Sequence, residues 1–85
     1  MAMLQYLVLP TTHVHEVVRF YTALGFTFVS EQHGTTQLHY AAKDGNLVIE
    51  VYPSTNPEPA GGIMLGIVVP SVMGVLTNLQ TIGPI

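Results

Sequence analysis

Few residues in this chain can do chemistry. Among 85 residues, Asp and Glu together number five, Lys and Arg two and His four, and there is no cysteine. Without cysteine there is no thiolate nucleophile, no disulfide and no cysteine-type zinc site, an absence that fits a reducing compartment. What remains is carboxylate and imidazole chemistry: general acid–base work, or coordination of a divalent cation by oxygen and nitrogen donors. The least expected placement is Glu50, in the middle of the strand-like run "LVIEVYP" (47–53). Period-two alternation sets Val48, Glu50 and Tyr52 on one face and Leu47, Ile49 and Val51 on the other. If the first face looks into a cleft, Glu50 is a base or a metal ligand with Val48 and Tyr52 beside it. If that face is merely the less buried side of a sheet, Glu50 is a hydrated carboxylate.

The histidines are weighed in the same way. His39 lies in "TQLHYAA" (36–42), where Gln37, His39 and Ala41 alternate with Leu38 and Tyr40, so it is expected to share the face of Glu50 and to contact a ligand or metal there. His13 and His15 are two residues apart at a helix start and do not share a helix face, so no local metal site is expected from them. His33 precedes Gly34 in a turn and is expected to be solvated. Tyr6, Tyr40 and Tyr52 read as packing residues with hydroxyls reaching water, with an aromatic cleft wall as the second choice. No Ser-His-Asp constellation and no glycine-rich phosphate loop is present.

The elements that must position these groups follow from pattern and punctuation. "MLQYLVL" (3–9) suits a strand that Pro10 would end. "PTTH" then starts a helix, with Thr12 or His13 as cap and Glu16 in the first turn, where the helix dipole favours a carboxylate. Val14, Val17, Val18, Tyr21 and Leu24 form one apolar stripe, and Gly25 follows as a left-handed C-terminal stop, giving a helix over 13–24. Strands are expected over 26–32, 36–42 and 47–53, with an Asp-Gly hairpin signal in "KDGN" (43–46). "PSTNPEPAGG" (53–62) cannot continue either kind of element and reads as a linker. "IMLGIVV" (63–69) reads as a further strand before Pro70. Ser71 is expected to cap a second helix over 71–81, with Val72, Val75, Leu76 and Leu79 on one stripe. Strand, proline, cap, apolar helix, glycine is the same opening twice, which makes an internal repeat whose second copy stops after strand and helix.

Composition narrows the function further. Charged residues are 8% of the chain, against about 25% in an average domain. A chain this short also has a thin core. Together these favour a surface covered by another subunit, hence a homodimer. With Arg19 and Lys43 as its only strong bases and a net charge of −3, nucleic acid is not an expected partner. The opening "MAMLQYLVLPTT" lacks the basic region and cleavage site of a signal peptide, and no apolar run is long enough for a membrane span. The expected location is the cytoplasm.

In order and spacing, "RFYTALGFTFVSEQHG" (19–34) and "LHYAAKDGNLVIEVYP" (38–53) resemble the vicinal oxygen chelate superfamily, also called the glyoxalase, bleomycin-resistance and dioxygenase superfamily. "FYTALGF" is similar to its helix end and second strand, and a strand ending "E-x-Y-P" to its fourth. The resemblance covers 3–53, and 63–83 looks like the opening of a second module. It implies an α+β, glyoxalase-like fold: a βαβββ module over 1–53, a linker over 54–62 and a partial second module over 63–85 within the same domain. Members pair two such modules around a cleft, and many bind a divalent metal with ligands on the first and fourth strands of each. Carried onto this chain, Glu50 takes the fourth-strand position. The first-strand position, usually His or Gln, falls on Tyr6, beside Gln5. The helix start, usually Asp, is His13. In the second module the first-strand position offers Ile63, Met64 and Leu65, and the fourth strand is lacking. The resemblance therefore implies Glu50 as the catalytic group, Glu50 and His39 as the contacts of any divalent metal, and Tyr6, His39, Val48 and Tyr52 as ligand-binding residues. It implies a small-molecule-binding protein whose cleft forms by dimerisation. The alternatives are a metal-dependent lyase, isomerase or dioxygenase in which a two-fold axis brings two copies of Glu50 together, and a shortened, inactive form of a two-module protein. The resemblance is compatible with an enzyme and with a binding protein alike.

Overall fold

The computed structural model describes residues 2–35, 37–56 and 65–82. In chain order the elements are β1 (Tyr6–Thr11), α1 (Val14–Leu24), β2 (Phe28–Glu31), β3 (His39–Asp44), β4 (Leu47–Pro53) and α2 (Val72–Ile82). The four strands form one mixed sheet in the order β1-β4-β3-β2. β1 runs parallel to β4, with Tyr6 opposite Val48 and Val8 opposite Glu50. β3 is antiparallel to both of its neighbours. This is the α+β, βαβββ arrangement expected for a glyoxalase-like module.

Local chemistry explains the boundaries. At the end of α1, Gly25 has φ 116°, a conformation that a residue without Cβ adopts at little cost. Its N–H donates to Thr22 O at 3.0 Å and the Phe26 N–H donates to Tyr21 O at 3.2 Å, which is the paired bonding of a Schellman stop. The Tyr21 and Phe26 rings meet edge-on at 6.1 Å, supplying the apolar contact that accompanies this stop. At the other end His13, one of the two expected caps, is the N-cap but makes no side-chain capping bond. Instead its own N–H donates to Thr11 Oγ1 at 2.9 Å. Ser71 does cap α2, its Oγ accepting from the Gly74 N–H at 3.0 Å.

Several strand limits shift from expectation. β1 runs through Pro10 to Thr11. Gln5 O accepts from the Val48 N–H and Thr11 O accepts from the Ser54 N–H, so odd-numbered residues bond to β4 and the Pro10 nitrogen faces the outer edge, where no N–H is needed. β3 lies further along the chain than 36–42, ending at Asp44 opposite Leu47. The turn is thus Gly45 and Asn46, and only Gly45 (φ 60°) has positive φ. That is a type II′ pattern with glycine first, rather than a turn centred on Asp-Gly. The strand expected at 63–69 does not form over its described part: residues 65–69 pair with no strand, and Val68 is 99% exposed. An apolar run becomes a strand only where a partner edge accepts its backbone.

The sheet has two unlike faces. α1 packs on β4, and Ala42, Ile49 and Val51 are buried on that side with Ala23 of the helix. His15 of α1 meets Tyr40 of β3 edge-on at 6.2 Å. α2 rests on α1, with the Asn78 side-chain amide donating to Ala23 O at 3.2 Å. Of its expected stripe, Val75 and Leu79 are half-buried while Val72 and Leu76 are exposed. A cavity of about 580 Å³ opens on the helix side, lined by Leu7, Leu24, Phe26, Ile49, Leu65 and Pro70 among others. On the other face no described element lies against the sheet, and Tyr6, Val8 and Val29 there are 55%, 49% and 58% exposed.

Candidate functional site

The open face collects the chemistry. Register places Val8 beside Glu50, Glu50 beside Ala41, and Glu31 beside His39. Since Tyr40 pairs with Val51, His39 stands next to Tyr52. Alternation then puts Tyr6, Val48, Glu50, Tyr52, His39 and Glu31 on one surface. A cavity of about 670 Å³ lies over it, lined by Tyr6, Val29, Glu31, His33, Val48 and Glu50 among others, a volume within the range of small-molecule sites.

His39 anchors the floor. It is wholly buried, and its Nδ1 lies 3.0 Å from Gln37 O. A carbonyl only accepts, so Nδ1 carries the proton and Nε2 presents its lone pair in the neutral ring. That nitrogen is 3.3 Å from Glu50 Oε2. The Tyr52 ring stacks on His39, with centroids 4.1 Å apart and planes 9° from parallel. Its hydroxyl is 3.3 Å from Nε2. In a near-parallel stack it sits over the imidazole rather than in line with the in-plane lone pair, so stacking is the larger part of the contact. Burial pushes the Tyr52 phenol above its usual value of 10.0, and the negative charges of Glu50 and then Glu31 push it the same way.

Of the sequence-derived candidates, Glu50, His39 and Tyr52 meet directly, while Tyr6 and Val48 line the cavity above them. Two further residues join that sequence reasoning left out. Glu31 ends β2, and His33 was expected to be only solvated. The His33 ring is 69% exposed but places Nε2 3.4 Å from Glu31 Oε2, and its centroid is 5.5 Å from that of His39. Glu31, His33 and His39 offer ligand atoms all within 4.8 Å of one another. The sole sequence signal was the spacing Glu31-x-His33 across a hairpin from His39.

The four-stranded mixed sheet, covered by α1 on one face and carrying the polar cluster on the other, is a glyoxalase-like βαβββ module. The model of the Glyoxalase/Bleomycin resistance protein/Dioxygenase superfamily matches residues 3–82, and the chain belongs to that superfamily. No individual curated protein matches the chain. Superfamily members often hold a divalent metal. On the strand positions used for that purpose this chain supplies Glu50 and Tyr6. Tyr6 is a half-exposed phenol in register with Val48 rather than with Glu50. A phenol is a poorer donor to hard and borderline divalent ions than imidazole or amide oxygen, and Glu50 already faces His39. The first- and fourth-strand positions therefore do not fit the metal. Among the described residues, no helix is long and apolar enough to cross a membrane.

Proposed function

We propose that the chain is a small-molecule-binding protein of the glyoxalase/bleomycin-resistance type, with a cleft completed when two chains set their open sheet faces toward each other. The observation that carries this reading is the uncovered face itself. Tyr6, Val8 and Val29 expose apolar surface there around a floor of His39, Glu50 and Tyr52. An apolar rim with a few converging polar groups is the usual make-up of a ligand site. Sheet faces exposing this much apolar surface mark an interface in small, charge-poor domains. Tyr6, Val48 and Tyr52 would supply contact area, and Glu50 with His39 a polar anchor. Binding without chemistry is favoured over a metal-dependent lyase, isomerase or dioxygenase, because the strand positions that carry a catalytic metal in relatives are not met here. Light scattering on the purified chain at micromolar concentration tests the reading. A dimer is expected, and a monomer throughout would sink it.

A further inference from the structure

The geometry points to a divalent transition-metal site on the β2–β3 hairpin, with Glu31, His33 and His39 as its ligands and Glu50 next to the remaining position. Three observations carry it. The first is convergence: Glu31 closes β2, His33 lies in the connection and His39 opens β3, and their ligand atoms lie within 4.8 Å of one another. The second is distance. Two ligands on one tetrahedral ion, with bonds of about 2.0–2.1 Å, stand about 3.3–3.4 Å apart. His33 Nε2 is 3.4 Å from Glu31 Oε2, at that separation, and the His39 ligand atom lies within 4.8 Å of both, a gap that has to shorten on binding. The third is the setting of His39: a buried imidazole that donates Nδ1–H to a backbone carbonyl has its tautomer and ring plane fixed, as metal-ligating histidines do.

The donor set selects the ion. Two imidazoles and a carboxylate favour zinc, nickel, cobalt or copper over magnesium and calcium, which take oxygen donors. His39 and Glu31 are held by strand pairing, while His33 is an exposed connection residue whose side chain can close the wider gap. All three ligands come from one hairpin of one chain. The site is therefore independent of dimerisation and uses none of the first-strand positions.

Calorimetric titration of the tag-free, chelator-stripped chain with Zn²⁺ alone tests this, with equilibrium dialysis as a second readout. One zinc per chain is expected. His33→Ala and Glu31→Gln should each weaken binding by about tenfold or more, with far-ultraviolet circular dichroism confirming that both variants stay folded. His13→Ala, at the N-cap of α1 and outside the ligand group, should bind as the wild type does. The inference is overturned if the wild type binds no zinc, if the folded His33→Ala and Glu31→Gln variants bind as tightly as the wild type, or if His13→Ala is as damaging as His33→Ala.

Discussion

Glu50 Oε2 and His39 Nε2 stand 3.3 Å apart on neighbouring strands, the imidazole fully buried and the carboxylate side chain 16% exposed. Glu50→Gln keeps the shape but removes the charge, and should lower stability by about 1–2 kcal/mol. His39→Ala also loses the Tyr52 stack and leaves a cavity, and should cost about 2–4 kcal/mol. Urea unfolding monitored by circular dichroism measures both. Equal midpoints for wild type and Glu50→Gln would show that the pair contributes nothing.

Tyr52 gives a pH signature. Its phenol is held above the usual 10.0 by burial first, then by Glu50 and Glu31. The folded state thus keeps its proton where the unfolded chain has lost it. That contribution to stability is fully present below about pH 10 and is lost as pH rises through the raised folded value. Phenolate absorbance, taken as the difference between wild type and Tyr52→Phe, should titrate above 10. Glu50→Gln should move that titration down without restoring the usual value, since burial remains. A Tyr52 titration at or below 10 in the wild type contradicts this.

Gly25 isolates a backbone effect. At φ 116° an added Cβ would meet no atom within 4 Å, so Gly25→Ala suffers no clash, only the strain of a left-handed residue. A loss of about 1 kcal/mol is expected, lowering the thermal midpoint by about 4–8 °C in a domain of this size. An unchanged midpoint would mean that the stop does not hold this conformation.

Val8 probes the open face. At 49% exposed it packs little in the single chain, but an Asp here would stand beside Glu50, so Val8→Asp should lower the stability of the monomer by about 1 kcal/mol. It should also shift the light-scattering mass from dimer to monomer, because a carboxylate would be buried across the interface. A dimer that tolerates Val8→Asp would place the contact elsewhere.

How far the sequence spoke depended on whether a feature was local. The stripe Val14–Leu24 and Gly25 marked α1 to within a residue, because helix period and stop lie in consecutive positions. Glu50 and His39 were assigned to one face by alternation alone, and they do face each other. Glu31 and His33 were missed because their convergence with His39 depends on the β2–β3 register, which no single segment encodes. The offset of β3 has a similar origin: "KDGN" reads as a turn centred on Asp-Gly, but the strands pair so that Gly45 and Asn46 take the bend. Residues 65–69 show the opposite case, an apolar run with strand-like composition that pairs with no described strand.

Pro10 carries a consequence for how the protein can meet others. Along the side of β1 that no described strand covers, Tyr6 and Val8 each offer an N–H and Pro10 offers none, so an incoming strand finds a ladder that breaks within one short edge. Growth by adding strand to strand is thereby discouraged at the very margin where a sheet is most prone to it. What stays accessible is the broad side bearing Tyr6 and Val8, and association through side chains, unlike backbone pairing, can discriminate among partners.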